Sequence, residues 1–388
     1  MSGIFIINQI LTKYSPNNNI HFVLLSLSSK YFHEEESMLK RFGMLLMPGL
    51  IFCLVFFGTG SAAADQELLG AGATFPQPLY SKMFDVYNQQ HKVKINYQGI
   101  GSGGGINQLI KKTVDFGGTD AFMTEKELRE AAATVLHIPT CLGAVVVTYN
   151  LPGNPKLNFT PDVIAGIFTG KIKKWNDPQI ASVNPNVTLP DLPISAVHRA
   201  DGSGTTYIFS EYLTRANKEW KESMGTGKSL KWPAGMIGQK GNPGVAGYVK
   251  QTPGAAGYVE LLYALHNKMA FGNVRNKSGR VIEPTIRAVS AAANVKIPDD
   301  TNVSLTDTGA ADGYPISGFT WLIFYKEQNY GGRSLERAEA LARMLLWMVS
   351  DGQKYVEPLQ YAPLSKEAAA KSLKLVRSMT YNGKPVLK

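Results

Sequence analysis

Cysteine and histidine are scarce in this chain, and their scarcity excludes several kinds of chemistry. The 388 residues contain two cysteines, Cys53 and Cys141, and 6 histidines. Cys53 falls in a predicted leader, so the remainder keeps one thiol and cannot form an internal disulfide. Cys141 stands in an apolar stretch, which predicts a buried structural thiol. The histidines after the leader lack metal-ligand spacing and a thiol partner, so we predict no metal, no cofactor and no catalytic residue.

The sequence also lacks clusters of positive charge. Its 40 basic and 30 acidic residues give a net charge of +10, but no long uninterrupted basic block occurs. Proteins that bind nucleic acid usually cluster such residues, so we predict no nucleic-acid partner. A mildly positive surface remains compatible with small anions. The length and the apolar share of 44% predict two globular domains.

One apolar run before residue 65 has the features of an export signal. Lys40 and Arg41 precede the apolar segment 44–57, and Ala62-Ala63-Ala64 follows it. A positive start, an apolar middle and an Ala-x-Ala end are typical of a secretory signal peptide. The run is shorter than the ~20 residues that a membrane-spanning helix needs. We therefore predict a leader at residues 1–64, cleaved after Ala64, and an exported mature protein.

The residues before this signal do not fit it. Glu34-Glu35-Glu36 would place acidic charge directly before the basic start. We expect that translation begins at Met38 and that residues 1–37 are an upstream mis-start. The signal peptide would then be residues 38–64.

The mature part alternates strands, glycine loops and helices, which is an α/β pattern. Residue spacing predicts, in order, a helix over 79–87, a strand over 93–97, a helix over 106–110, strands over 114–117 and 142–150, helices over 161–168 and 206–220, a strand over 321–325 and a helix over 335–349. We place the two crossings between domains near 142–150 and near Gly313-Tyr314-Pro315.

The most informative glycine loop is Arg199-Ala200-Asp201-Gly202-Ser203-Gly204-Thr205. It joins one guanidinium, two small hydroxyls and exposed backbone N–H groups immediately before a predicted helix. Such a loop favours a tetrahedral oxyanion, because free N–H groups point outward and the helix dipole attracts negative charge. We predict that the chain binds an anion.

The second glycine loop, 99–105, permits another interpretation. Gly99, Gly101 and Gly104 match the dinucleotide-binding fingerprint, and Asp120 follows at about the right distance. The match alone is weak. Ser102 and its flanking glycines suit a bare oxyanion equally well.

Two further motifs are incomplete. Gly227-Lys228-Ser229 resembles the end of a phosphate-binding P-loop, but Glu222 occupies the position of its first glycine, which favours a surface loop. Neither Ser102 nor Ser203 stands in the Gly-x-Ser-x-Gly motif of a serine hydrolase. We therefore predict a binding protein and not an enzyme.

Taken together, these loops closely resemble those of the phosphate-binding proteins of bacterial phosphate-specific ABC transporters, the PstS family. The likeness runs from about Leu69 to the C-terminus. Its strongest motifs, in order, are Gly70-Ala71-Gly72-Ala73-Thr74-Phe75-Pro76, Tyr97-Gln98-Gly99-Ile100-Gly101-Ser102, Thr113-Val114-Asp115-Phe116-Gly117 through Asp120, and the Arg199–Thr205 loop. The fold implied by this resemblance is an α/β, two-lobed periplasmic binding protein of type II. Each lobe would be a mixed β-sheet flanked by helices, and the ligand would lie in the cleft between the lobes.

The resemblance also implies lobe boundaries, a location and partners. One lobe would comprise residues 65–142 plus 315–388, and the other residues 143–314. The protein would be a periplasmic monomer that delivers inorganic phosphate to the permease subunits of an inner-membrane ABC transporter. The implied phosphate contacts are Thr74, Phe75 through its backbone N–H, Ser102 and Asp120 from one lobe, and Arg199, Asp201, Ser203, Gly204 through its backbone N–H and Thr205 from the other.

Asp120 is the unusual member of this set, because an ionised carboxylate can only accept hydrogen bonds. It can accept the proton that phosphate still carries near neutral pH, whereas sulfate has no proton to offer and would be repelled. Alternatives remain open at this point: another oxyanion bound by the same fold, a phosphate-ester hydrolase that uses Ser102 or Ser203, or a surface-adhesion role.

Overall fold

The computed structural model describes residues 66–387, which lie within the compact unit Ala63–Lys388. The predicted leader, residues 1–64, lies outside the described residues. The strands are β1 (Gln66–Gly72), β2 (Val93–Gly99), β3 (Phe116–Thr119), β4 (Val135–Tyr149), β5 (Asn158–Phe159), β6 (Ser195–Arg199), β7 (Ile237–Gln239), β8 (Ala255–Glu260), β9 (Ala270–Phe271), β10 (Asn273–Arg275), β11 (Val281–Ile282), β12 (Ser317–Tyr325), β13 (Thr380–Tyr381) and β14 (Lys384–Pro385).

Helices alternate with these strands along most of the described chain. They are α1 (Gln77–His91), α2 (Ser102–Ile110), α3 (Glu125–Ala131), α4 (Pro161–Phe168), α5 (Pro178–Ser182), α6 (Gly204–Ala216), α7 (Lys218–Ser223), α8 (Gly241–Gln251), α9 (Leu261–His266), α10 (Ile286–Ala292), α11 (Leu335–Met348) and α12 (Lys366–Arg377). Two short 3₁₀ helices, Asp351–Tyr355 and Glu357–Leu359, precede α12. The α/β class predicted from the sequence is confirmed.

Within residues 66–387, the main sheet has nine strands in the order β2-β1-β3-β12-β4-β8-β6-β7, with β9 paired to β4. We call β1, β2, β3 and β12 the first strand group and β6, β7 and β8 the second. Strands β1, β2 and β3 run parallel, as do β6, β7 and β8. Strands β12 and β4 are antiparallel neighbours that join the two groups.

Strand β4 is shared by both strand groups. Residues up to Ala144 pair with β12, whereas Val145 to Tyr149 pair with β8. All its residues after Val135 are buried, which explains a nearly continuous apolar run where one-sided strands show alternation. The chain therefore passes from one strand group to the other in mid-strand, close to the predicted crossing at 142–150. The proposed lobe boundaries stay a prediction.

Several elements differ in extent from the sequence-based prediction. Strand β4 begins at Val135 instead of residue 142. Residues 135–141 also belong to the strand, because they pair with β12 despite the proline at position 139. Helix α2 begins at Ser102, so most of the predicted glycine loop forms its first turn. The single helix predicted over 206–220 is two helices. Asn217 has extended backbone angles there, and its side chain caps α7 by accepting a hydrogen bond from Trp220 N.

The described core is built from apolar residues of both strand groups and of the helices that cover them. Cys141 is fully buried, as predicted, and Trp175 and Trp220 are among the largest fully buried side chains. Close packing of this kind leaves little freedom for the strands, so the loops at their ends are held in defined positions.

Candidate functional site

The loops that carry the predicted site residues follow the carboxyl ends of parallel strands. In the first strand group, Thr74 follows β1, Ser102 follows β2 and Asp120 follows β3. In the second group, Ser203 follows β6, and the segment at Asn242 follows β7. Parallel strands expose their carboxyl ends at one edge, and open α/β sheets bind ligands at that edge. The two groups bring these edges face to face.

Asp120 is almost completely buried, at 2% exposure. One carboxylate oxygen, Oδ1, accepts a hydrogen bond from the Thr320 hydroxyl at 2.7 Å, and Oδ2 accepts one from the Ser102 hydroxyl at 3.4 Å. Burial raises the pKa of Asp120 to about 7, although the Thr320 hydroxyl and the charge of Arg199 act in the opposite direction. The carboxyl group therefore changes its protonation state near neutral pH.

Arg199 lies at the end of β6 and is 3% exposed. Its Nε donates to Asp201 Oδ1 at 2.8 Å and its Nη2 donates to Asp201 Oδ2 at 2.5 Å. The two residues therefore form a bidentate ion pair. Nη1 donates to the Thr205 hydroxyl at 3.2 Å. Asp201 therefore fixes the plane of the guanidinium group.

The ion pair also determines the charge of Asp201. Burial opposes its ionisation, but the hydrogen bonds and charge of Arg199, together with the Gly241 N–H at 2.9 Å, hold its pKa below the usual range. Asp120 and Asp201 are thus two neighbouring carboxyl groups with opposite pKa shifts. The difference arises because the guanidinium group directly binds only Asp201.

The Ser203-Gly204-Thr205 segment forms the start of α6. The Ser203 hydroxyl oxygen caps this helix by accepting the Thr206 N–H at 3.0 Å. The Gly204 N–H donates to the Ser102 hydroxyl of the first strand group at 3.0 Å. A Cβ atom at Gly204 would lie 2.5 Å from Ser102 Oγ and from Asp120 Cβ, so only glycine permits this approach.

Gly101 permits a second close approach, at the N-terminus of α2. Its φ of 86° lies in the region that favours glycine, and a Cβ atom there would lie 2.2 Å from Asp201 Oδ2. The neighbouring Gly103 N–H donates to the Gly202 carbonyl at 2.8 Å. The two glycine loops therefore touch through their backbones.

Thr74 and Phe75 lie between β1 and α1. The Thr74 hydroxyl oxygen accepts hydrogen bonds from both the backbone N and the Nδ2 of Asn242, each at 3.0 Å. The Phe75 ring is fully buried, and its carbonyl accepts a hydrogen bond from the Tyr361 hydroxyl at 2.7 Å. These contacts fix the loop that leads into the first turn of α1.

Asn242 and Thr320 belong to the site but were missed by the sequence prediction. Asn242 Nδ2 also donates to the Thr205 hydroxyl at 3.1 Å, while its Oδ1 accepts the Glu260 N–H at 2.9 Å. Asn242 thus joins Thr74 and Thr205 across the two strand groups. A signal existed for Asn242, since the glycine-containing segment Gly241-Asn242-Pro243-Gly244 forms the first turn of α8. Thr320 lies inside a buried strand and had no comparable signal.

Glu260 is a third buried carboxyl group close to these loops. Its Oε2 lies 3.1 Å from the Tyr361 hydroxyl, which already donates its one proton to Phe75 O. The same Oε2 oxygen accepts the Leu262 N–H at 3.0 Å. Burial raises the pKa of Glu260 well above its usual range, which favours its protonated form. A protonated Glu260 adds no negative charge beside an anion site.

An ion pair also joins the two strand groups outside these loops. Lys228 Nζ lies 2.6 Å from Glu127 Oε2, and the two side chains are 14% and 20% exposed. Burial disfavours the ionised form of Glu127, but the Lys228 hydrogen bond and the Thr124 N–H outweigh it and lower its pKa. Gly227-Lys228-Ser229 is a loop with an exposed Ser229, as predicted from the sequence, but the Lys228 side chain is largely buried against Glu127.

The structure thus places all the predicted site residues in one connected set of loops. Their shared property is a surplus of hydroxyl and N–H groups around a single guanidinium group. Among residues 66–387, no group of three or more His, Cys, Asp or Glu side chains is arranged to hold a metal ion. The role of each residue toward an anion stays a prediction.

Residues 58–352 match a family model described as a PBP superfamily domain. The phosphate-binding protein PstS of Pasteurella multocida is 38% identical over 327 residues, which cover 83% of this chain and 93% of that protein. The phosphate-binding protein PstS of Xylella fastidiosa is 41% identical over 308 residues, which cover 77% of this chain and 81% of that protein.

Solved structures of phosphate-binding proteins share the fold. A high-affinity periplasmic phosphate-binding protein, PfluDING, bound with phosphate, has a TM-score of 0.64 at 20% identity and covers 79% of this chain and 92% of its own. A phosphate-binding protein from Stenotrophomonas maltophilia has a TM-score of 0.63 at 18% identity and covers 80% and 94%. The predicted type II periplasmic binding protein fold is confirmed.

Proposed function

Because the chain belongs to the PstS family of phosphate-binding proteins, we propose that it binds inorganic phosphate between its two strand groups and delivers it to the permease subunits of an ABC transporter. The observation that carries this proposal is that buried Asp120 lies close enough to feel the charge of Arg199, without binding it, among buried hydroxyl groups. Arg199 supplies positive charge and a planar set of donors, and Asp120 supplies an acceptor. A ligand that satisfies both must be an anion that still carries a proton.

The donors of this site suit the oxygens of phosphate. A buried anion needs each of its oxygens hydrogen-bonded. We assign this task to the hydroxyls of Thr74, Ser102, Ser203 and Thr205 and to the N–H groups of Phe75 and Gly204. The Ser102 hydroxyl and the Gly204 N–H, which donate to Asp120 and to Ser102 in this structure, would exchange these partners for phosphate oxygens. The Ser203 hydroxyl accepts from Thr206 in the helix cap, so its own proton remains available for donation.

Delivery of phosphate to the permease depends on a closed state, in which the two strand groups approach each other and both contact the ligand. Phosphate held by Asp120 on one side and Arg199 on the other stabilises the approached state, because a separated state lacks half of these contacts. We propose that this closed form docks on the permease as a monomer. Among the described residues, no helix combines the length and apolarity needed to cross a bilayer.

Export to the periplasm is the corresponding proposal for location. It rests on the order of charged, apolar and small residues in segment 38–64, with cleavage after Ala64. We further infer that the protein binds phosphate without turning over phosphate esters, since neither Ser102 nor Ser203 has a histidine among its hydrogen-bond partners in residues 66–387.

Calorimetric titration of the purified, phosphate-stripped protein tests the proposed function. Phosphate is expected to bind one-to-one and tightly, whereas sulfate at the same concentration gives no heat of binding. Tight binding of sulfate or molybdate instead would reassign the site to fully deprotonated oxyanions. Release of product from a chromogenic phosphate ester, abolished by Ser102→Ala, would replace the binding function by a hydrolase.

The Lys228–Glu127 ion pair is expected to contribute to phosphate affinity without touching phosphate. Lys228→Met keeps most of the apolar part of the side chain but removes the charge that joins the two strand groups. Because the pair is only partly exposed, we expect a loss of about 1 kcal/mol, or roughly fivefold weaker phosphate binding. Calorimetry at low and high salt measures this effect, which should shrink as salt rises.

A matched control variant and a double-mutant cycle isolate the effect of the Lys228–Glu127 ion pair. Lys231→Met removes an exposed lysine from the same segment and should leave phosphate affinity unchanged. In the double variant Lys228→Met/Glu127→Gln, the two losses should not add, because each removes the same interaction. Additive losses, or an unchanged affinity of Lys228→Met, would show that the pair does not stabilise the closed form.

A further inference from the structure

A cavity of about 820 Å³, which we call the second cavity to separate it from the phosphate site, lies on the side of the second strand group. None of the proposed phosphate contacts lines it. It is lined by the end of α6, by α7, and by the turn that follows β10. Its volume greatly exceeds that of one phosphate group. The cavity is therefore a feature separate from the site between the strand groups.

Positive charge dominates the lining of this cavity. The cationic side chains are those of Arg215, Lys218, Lys221, Arg275 and Lys277, and the lining carboxyl group is that of Asp307. Burial of Asp307 outweighs the charges of Lys277 and Arg215 and raises its pKa. Five cations and one acid on a single concave surface create a positive potential that attracts anions.

Neighbouring acids offset only part of this charge, because Glu211 neutralises Arg215 and the other four cations remain. Glu211 pairs with Arg215 at 3.1 Å, and its other oxygen is already used by Ser304 and Thr306. Glu222 lies 3.9 Å from Lys218, but both side chains are largely exposed, so their pairing is weak and screened.

The cations are held on rigid parts of the fold. Asn276, which is 6% exposed, donates from Nδ2 to the carbonyls of Ala311 and Gly313 and accepts at Oδ1 from the N–H groups of Ser278 and Arg280. These bonds fix the turn that carries the cationic residues on both sides of Asn276. Little ordering of the backbone is therefore needed when a ligand binds.

Arg215, at the end of α6, is fixed in a similar way. Its Nη1 donates to the Thr306 carbonyl at 2.9 Å, which anchors the guanidinium group from one side. Helix α7 begins at a capped position, since Asn217 Oδ1 accepts the Trp220 N–H at 2.7 Å. Both parts of the cavity lining are thus preformed.

We propose that this cavity is a second anion site, which binds condensed phosphate, a linear chain of linked phosphate groups. Such a chain places several negative charges at short spacing and can contact several of the five cations at once, whereas a single phosphate can contact only some of them. Binding releases counterions from the polyanion, so affinity must fall steeply with salt. The proposal does not depend on phosphate binding between the strand groups.

The lining favours condensed phosphate over other polyanions. No aromatic side chain lines the cavity, so there is no surface on which the bases of a nucleic acid could stack. None of the exposed large apolar residues of the described chain lines it either, although insertion beside lipid headgroups would require them.

Titration of the phosphate-saturated full chain with short linear polyphosphate tests this site. Saturation with phosphate keeps the site between the strand groups occupied, so the heat reports the second cavity. We expect binding at low salt that is lost at high salt. The double variant Arg275→Gln/Lys277→Gln should weaken it at least tenfold and leave phosphate binding unchanged.

A charge-matched control separates the cavity from net charge. Lys82→Gln/Lys374→Gln removes the same charge from two exposed helix positions and should retain polyphosphate binding. Equal losses in both double variants would reduce the effect to net charge and overturn the proposal. Loss of polyphosphate binding in Arg199→Met, or binding to phosphatidylglycerol vesicles that polyphosphate fails to displace, would also overturn it.

Discussion

Replacing Arg199 by methionine is expected to weaken phosphate binding by about 100-fold or more, corresponding to a loss of ~2.7 kcal/mol. The methionine retains an apolar stem but removes the only arginine among the proposed contacts. In the unsubstituted protein, the three nitrogen atoms of the Arg199 guanidinium group are already oriented by Asp201 and Thr205. A preoriented donor loses little side-chain entropy on binding, so its removal is costly. Calorimetry with phosphate measures the change.

The same substitution should also destabilise the phosphate-free protein. It leaves Asp201 without its guanidinium partner in a position where the carboxylate is only 14% exposed. We expect a loss of ~2 kcal/mol in the free energy of unfolding, because an uncompensated, largely buried charge is costly. Chemical denaturation of the phosphate-free protein measures this loss.

A second variant separates binding from stability. In Arg199→Met/Asp201→Asn the neutral amide removes the uncompensated charge, so stability should return toward that of the unsubstituted protein while phosphate binding stays weak. Recovery of both properties would mean that Arg199 acts only by maintaining the loop. Phosphate affinity within threefold of the original in the single variant would remove Arg199 from the site.

Replacing Asp120 by asparagine is expected to reduce the preference for phosphate over sulfate by about 100-fold. Above its raised pKa of about 7, Asp120 is ionised and accepts the proton of phosphate, while it repels sulfate. The amide of Asp120→Asn carries no charge and offers both a donor and an acceptor. Sulfate therefore gains a partner, and phosphate loses its charged acceptor.

The pH dependence follows from the same carboxyl group. As pH falls below about 7, Asp120 takes up a proton and becomes a donor, so the unsubstituted protein should exclude sulfate less strongly. In Asp120→Asn the selectivity should hardly change with pH over this window. Titrations with both anions between about pH 5.5 and pH 8.5 measure the ratio of dissociation constants. Identical pH profiles in the two proteins would contradict the role of Asp120.

Stability of the phosphate-free protein gives an independent check of this pKa. The folded-state pKa lies above the value of 3.8 for an unperturbed aspartate, so the folded protein binds the proton more tightly than the unfolded chain. This contribution is fully present below about pH 4 and is lost as pH rises through about 7, by up to ~4 kcal/mol. Asp120→Asn should flatten that slope, whereas exposed Asp85→Asn should not.

The local spacing of apolar residues was sufficient to predict many of the helices and strands. The apolar spacing of Leu79, Met83, Phe84 and Tyr87 predicted α1, and these residues are buried on its inner face. Prediction was poorest for β4, whose first half alternates little and contains a proline. Its pairing with β12, nearly two hundred residues away, stabilises an extended strand that the local sequence does not specify.

Some residues of the candidate site could also be predicted from the local sequence, whereas others could not. Arg199, Asp201, Ser203 and Thr205 lie in one short loop, so their chemistry was visible together in the sequence. Asn242 was not recognised, because an asparagine after a glycine is common in turns and its amide acquires a role only where Thr74 and Thr205 meet. Thr320 was missed for a similar reason, since threonine in a buried strand is ordinary until a carboxylate such as Asp120 lies beside it.

The sequence by itself determined the α/β class, the order of the loops and the kinds of group that they carry, because each depends on residues close together in the chain. Only the tertiary structure decided which loops face each other, that Lys228 pairs with Glu127, and that Asp120 and Asp201 have opposite pKa shifts. Those properties depend on distances and burial between segments remote in sequence. A carboxyl group has the same formula in both places, and its pKa is set by whether folding gives it a directly bound cation, as for Asp201, or burial without one, as for Asp120.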